Sequence, residues 1–259
     1  MKKIVFYFCL FVAVSTTAAP KSGRYDAIDN LQGESLFNAL SKVTNIGFHT
    51  LTYKGLWDAY TKTDVYPGTQ QIWDMYGECG FVAINDQCGT YQNECQCYNR
   101  EHSIPKSWFG GSESGIGCDI FHVVPTDGKV NNVRDNDPFG EVGSAKYTYN
   151  GCKSGTSNFS GYSGIGTVFE PIDEYKGDFA RGYFGTIVKW KLANMTTKNG
   201  SVMFTGNYTS NGGFGLTSYS IALLMKWHRQ DPVSQKEIDR NDAIEQTQGN
   251  RNPFIDYPY

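Results

Sequence analysis

The chain has 259 residues, of which 19% are charged and 15% aromatic, with 29 glycines and a formal net charge of -3. That length fits one large domain or two small ones, and the abundance of Gly, Tyr, Phe, Ser and Thr counts against long helices and favours short strands and ordered loops. An acidic balance also counts against a surface that is basic all round, so an anionic partner would have to meet a local basic cluster or a bound cation.

The first residues read as an export signal. Lys2 and Lys3 form a positive start, residues 4–14 an apolar run, and Ser15-Thr16-Thr17-Ala18-Ala19 a small-residue cleavage region, although Pro20 is awkward directly after it. The apolar run is too short to span a bilayer, and no later stretch is long enough. Residues 1–19 are therefore expected to leave as a signal peptide. Residues 20–259 are then a single domain, secreted or periplasmic. Without Lys2 and Lys3 the net charge moves from -3 to about -5. Cys79, Cys88, Cys95, Cys97, Cys118 and Cys152 remain, an even set that predicts up to three disulfides of open connectivity. Cys95-Gln96-Cys97 lacks the second close ligand pair that a structural zinc site needs.

Further along, Leu36, Phe37, Ala39, Leu40 and Val43 are spaced as on a helix over 35–43, with Gly47 as a stop, and a second helix is predicted over 53–60. Residues 77–98 read as a stapled loop region with short strands, and 151–166 as a polar surface loop. Asn158, Asn194, Asn199 and Asn207 begin glycosylation-type triplets, relevant only to a eukaryotic source. A helix is predicted over 219–229. Asp231-Pro232 then reads as the cap and first turn of another over 233–248, which Gly249 ends.

The chemistry concentrates in Asn99-Arg100-Glu101-His102-Ser103-Ile104-Pro105. Neighbours on a regular strand face opposite ways, so Glu101 and His102 can serve one site only where the strand ends, which Pro105 favours. Next, Asp119 to Gly128 form an apolar, strand-like run that ends at Pro125. Thr126 or Asp127 then caps a helix over 129–136, with Asn131 in its first turns, aimed back at Glu101. Glu and Asn oxygens are hard ligands suited to magnesium, and an imidazole beside them suits a general base. Taken alone, a Glu-His pair is more often a solvated surface feature, and an Asn on a short helix an exposed polar residue.

Five segments in order resemble the endonuclease I family of secreted or periplasmic, sugar-nonspecific nucleases. They are Asn99-Arg100-Glu101-His102, Pro105-Lys106-Ser107-Trp108-Phe109, residues 119–136, residues 176–184, and the stretch from Asp231-Pro232-Val233-Ser234 to Arg251-Asn252-Pro253-Phe254. The resemblance covers roughly residues 97–259. It implies an α+β fold with a ββα-metal (His-Me finger) core, additional helices and disulfide-stapled loops. It also implies a metal-dependent endonuclease, expected as a monomer with no membrane partner, that contacts the backbone of DNA, RNA or both with little sequence preference. His102 would be the general base, its second nitrogen donating to a backbone carbonyl. Glu101 and Asn131 would hold Mg2+, with Mn2+ or Ca2+ also suited to such ligands.

One departure is plain: the family's Arg-Lys segment between the His and the Asn is missing, and Lys106 is the sole basic residue between His102 and His122. Arg181 and Arg134 are the candidates for the catalytic, phosphate-stabilising arginine, though each is as well suited to pairing with a carboxylate such as Glu170 or Asp178. Lys106 and Trp108 are candidate substrate contacts; Trp108, with Phe109, is equally suited to closing the core, and His122 reads as a packed residue. Two rivals stay open: an exported phosphodiesterase for a smaller substrate, and a binding or adhesion module suited to the Gly/Tyr/Ser-rich stretches.

Overall fold

A computed structural model describes residues 23–192, 197–205 and 215–258; the expected signal segment and the triplets at Asn194 and Asn207 lie outside them. Helices α1 (Gly33–Val43), α2 (Gly55–Thr63), α3 (Gly128–Arg134), α4 (Lys176–Trp190), α5 (Gly200–Met203), α6 (Ser218–Gln230), α7 (Gln235–Gln248) and α8 (Pro253–Asp256) accompany strands β1 (Tyr98–His102), β2 (Val123–Asp127), β3 (Val142–Tyr149), β4 (Cys152–Ser157) and β5 (Thr167–Glu170). The architecture is α+β, with two small antiparallel sheets, β1-β2 and β3-β4-β5. No helix of the described residues is long and apolar enough to cross a membrane.

The β1-β2 pair sits between two apolar clusters, and alternation along β2 explains why. Val124 joins the larger cluster, with Ile104, Phe139, Tyr183 of α4 and Trp227 of α6. Val123, facing the other way, joins the smaller one with Leu56, Tyr60, Tyr98 and Ile244. A strand buried on both faces cannot slip register without turning its apolar set inside out. The pairing Tyr98↔Asp127 through His102↔Val123 is therefore firmly set.

β2 runs into α3 without a loop. Asp127 closes the strand and caps the helix, its side chain accepting from the Val130 amide at 2.8 Å. Two disulfides, Cys79–Cys95 and Cys88–Cys97, staple the irregular segment before β1. The second lies against the start of α3: a Cβ on Gly128 would fall 2.3 Å from the Cys88 sulfur.

Several expectations need correction. Two disulfides form, within the expected limit of three, and Cys118 and Cys152 are instead buried thiols, the former beside the Glu113 carbonyl and the latter beside that of Tyr76. The stretch 151–166 opens with a strand, because Asn150-Gly151, both at positive φ, turn β3 into β4. Ser234, not Asp231, caps α7, in a reciprocal capping box with Glu237 that satisfies two amides together. Asp231 ends α6 instead, and its carboxylate accepts from the Gly177 amide at 2.7 Å.

Gly128→Ala is expected to lower stability by about 1–3 kcal/mol through overpacking against the disulfide. Urea denaturation with the disulfides intact measures this, and an unchanged midpoint would contradict the close packing.

Candidate active site

Alternation divides the side chains of β1. Glu101, opposite Val124, turns toward α3 and the larger cluster, whereas Arg100 and His102, opposite Pro125 and Val123, turn the other way. Glu101 is 2% exposed, and its Oε1 accepts from the Tyr76 hydroxyl at 3.0 Å and from Nη1 of Arg134. Burial pushes its pKa up, while Arg134 and the Tyr76 hydrogen bond pull it down. Arg134 is itself fully buried. It also donates to the carbonyls of His102 (2.8 Å), Ser103 (2.8 Å) and Asp137 (3.1 Å). Tyr183 of α4 reaches the same Ser103 carbonyl at 2.7 Å. The end of β1 is thus held from two helices.

Both protein donors to Glu101 take the same oxygen, and Oε2 accepts no hydrogen bond among the described residues. Asn131 lies three residues before Arg134 on α3, on the same helical face, half-buried, with a side chain that makes no hydrogen bond among the described residues. Each residue thus offers an oxygen without a hydrogen-bond partner among the described residues, the type of donor that a hard divalent cation takes. A cluster of Cys79, Cys95 and Asp127 also has ligand spacing, but both sulfurs are consumed in the Cys79–Cys95 disulfide.

His102 closes β1 and is 7% exposed, its Nε2 3.0 Å from the Gly117 carbonyl. A carbonyl can only accept, so Nε2 carries the proton and Nδ1 keeps its lone pair. Burial, reinforced by nearby His122, pushes the His102 pKa down to about 3, against the opposing pull of that carbonyl. The ring is therefore neutral across the ordinary pH range. Gly117 belongs to a single 3-10 turn, Gly115–Cys118, and a Cβ there would lie 2.0 Å from the Ser112 carbonyl oxygen. The Ile116 carbonyl of the same turn accepts from Nε2 of His122 at 2.8 Å, and burial pushes His122 down to about 4. His122 is thus packed and hydrogen-bonded, although its Nδ1 is buried without a partner.

Lys106 sits beside His102, donating to the Tyr53 hydroxyl (3.1 Å) and to Glu113 (2.7 Å). Trp108 does not: it is 2% exposed and lies edge-on to Phe204 in the larger cluster. The turn Lys106–Phe109 that begins after Pro105 swings its indole inward, so it closes the core and offers no face to a base. Arg181 is fully buried. It grips Glu237 with Nε (2.5 Å) and Nη2 (2.6 Å), lies 3.5 Å from Asp178 and donates to the Asp231 carbonyl at 2.8 Å. Arg134 and Arg181 are both committed to internal carboxylates, and neither presents a free edge to a phosphate. Sequence reading did not single out Tyr76, Gly117 or Tyr53. Each comes from a separate segment with no periodic or motif signal.

A family profile described as Endonuclease I matches residues 32–259. An extracellular ribonuclease of Bacillus amyloliquefaciens is 32% identical over 256 residues, covering 95% of this chain and 79% of that protein. An extracellular ribonuclease of Bacillus subtilis strain 168 is 30% identical over 270 residues, covering 95% and 81% respectively. The chain belongs to the endonuclease I family.

If Arg181 is a structural residue, Arg181→Ala leaves Glu237 and Asp178 short of a partner and lowers the unfolding free energy by about 3–5 kcal/mol. Chemical denaturation reads this directly, and a loss below about 1 kcal/mol, the value of an exposed pair, would refute that role.

Proposed function

We propose that the protein is an exported, metal-dependent nuclease that hydrolyses phosphodiester bonds of RNA, DNA or both, from a ββα-metal core made of β1, β2 and α3. The observation that carries this reading is the contact of His102 Nε2 with the Gly117 carbonyl, which puts the proton on Nε2 and makes Nδ1 the basic nitrogen. It stands next in sequence to Glu101, which has one open oxygen. Family membership and the two extracellular ribonucleases support the same activity, favour RNA among the substrates and agree with the export-type start of the sequence.

In this reading Nδ1 of His102 takes a proton from the water that attacks phosphorus. The resulting imidazolium keeps its Nε2–H bond to the Gly117 carbonyl, which strengthens as the ring becomes charged. An anionic phosphate beside the ring raises the low pKa of the free protein toward a useful range. Arg134 and Tyr76 fix Glu101 in place, and the Arg134 guanidinium opposes the upward push of burial on its carboxyl. Glu101 and Asn131 would hold a divalent cation, magnesium by ligand hardness, which when bound supplies charge against the phosphate and leaving oxygens. Recognition through the backbone rather than base edges accounts for low sequence preference.

Incubation with plasmid DNA and structured RNA is the direct assay. His102→Ala is expected to lower the cleavage rate by about 10²–10⁴-fold or more. EDTA should abolish cleavage and excess Mg2+ restore it. A wild-type protein that cuts neither substrate with Mg2+, Mn2+ or Ca2+ would sink the proposal.

A further inference from the structure

With Arg134 and Arg181 closed off, the cation that meets a substrate phosphate must come from elsewhere. Arg24, Arg134, Arg181, Arg240 and Arg251 each hold a carboxylate. Arg100 is half-buried, yet no carboxylate holds it among the described residues. Its guanidinium carbon lies 3.8 Å from the centroid of the Tyr53 ring and 4.4 Å from that of Trp57. Nη1 donates to the Tyr53 carbonyl at 2.9 Å, while Nε is buried with no hydrogen-bond partner among the described residues. A buried donor without a partner is rare and calls for an explanation, and an absent ligand is one. The side left over, Nε with Nη2, is one of the two forks by which a guanidinium grips a pair of phosphate oxygens.

Position supports the same use. Arg100 precedes His102 by two residues and shares its face of β1. Tyr53 touches both, its ring stacked on the imidazole with centroids 5.9 Å apart. Lys106 joins them, its Nζ 4.6 Å from the centroid of that ring, although it also pairs at 2.7 Å with Glu113, an exposed carboxylate that a phosphate would have to displace. One aromatic ring thus gathers two cations and the proposed base, in a chain whose net charge is -3.

We propose that Arg100, steadied by Tyr53 and Trp57, binds a phosphate of the nucleic-acid backbone beside His102, with Lys106 as the second cation. This rests on the nuclease reading and fills the role left without an arginine. The competing structural account makes Arg100 only a staple between β1 and the segment carrying Tyr53 and Trp57.

The test measures binding of short fluorescent single-stranded DNA and RNA by anisotropy over a range of salt concentrations, in the His102→Ala background with EDTA. Adding Arg100→Ala is expected to weaken binding about 10- to 100-fold, the range of one charged hydrogen-bonded contact. It should also reduce the slope of log affinity against log salt by about 0.7, the value of one phosphate contact on a single strand. Losses of similar size on DNA and RNA are expected, because both present the same phosphate; a loss confined to one would overturn the phosphate contact. Arg100→Lys keeps a charge over the rings, so it reports where the Ala variant does not fold, with the slope retained but affinity reduced for want of the fork. A folded variant with unchanged affinity, or with weaker affinity and an unchanged slope, would leave Arg100 as a staple and overturn the proposal. Failure of the nuclease reading looks different: wild-type protein would then neither bind nor cut nucleic acid, and both readings would fall.

Discussion

The buried ion pair between Arg134 and Glu101 fixes where everything else in the site can be. Taking two charges out of water is expensive, and such a pair commonly contributes less to stability than apolar residues of the same size would. What it supplies here is position. One guanidinium reaches the Glu101 carboxylate and the carbonyls of His102 and Ser103, so the last turn of α3 is tied to three consecutive residues at the end of β1. The helix cannot rotate or slide without breaking several charged hydrogen bonds at once. Asn131, one turn earlier, inherits that placement.

Adjacent residues of β1 are then held in opposite electrostatic conditions. Glu101 has a guanidinium against it, which favours its ionised form despite burial. His102 has no carboxylate among its hydrogen-bond partners, only backbone groups and an aromatic ring, so burial outweighs what opposes it. Asp119 pulls up the pKa of neighbouring His122 but is not among the groups that act on His102. It is instead occupied by Lys189 at 2.6 Å, with the Trp190 indole and the Gln248 amide also donating to it. A strand end is the one place where such unlike neighbours can still face a common space.

What the sequence disclosed follows from how local each constraint is. The α1 stripe, the passage from Pro125 through Asp127 into a helix, and the stop at Gly249 depend on residues within one or two turns, and all were legible. The β3-β4-β5 sheet was not, because Lys153-Ser154-Gly155-Thr156-Ser157 has no apolar alternation; the usable signal was the Asn150-Gly151 turn. Ser234 with Glu237 three residues on was likewise a readable capping box, overshadowed by Asp231-Pro232. At the site, Glu101, His102 and Asn131 stood out by type and order. Tyr76 and Gly117 did not, because each acts through a contact that only the fold creates. The arginines show the limit most clearly: Arg181 is occupied by Glu237, 56 residues away, and composition alone does not reveal which cations are already taken.

That pairing of cations also bears on how an acidic protein can act on a polyanion. Binders with a broad basic surface gather many phosphates and weaken steeply as salt rises. Here most described arginines are neutralised inside the fold, and the positive groups near His102 come down to Arg100 and Lys106 around one tyrosine ring. In the proposed reading, a surface built this way engages few phosphates at a time, and its grip on nucleic acid is local and only shallowly dependent on salt. On that proposal, the economy of charge in the interior and the low sequence preference of the reaction share one physical cause: only the phosphate at the end of β1 is held.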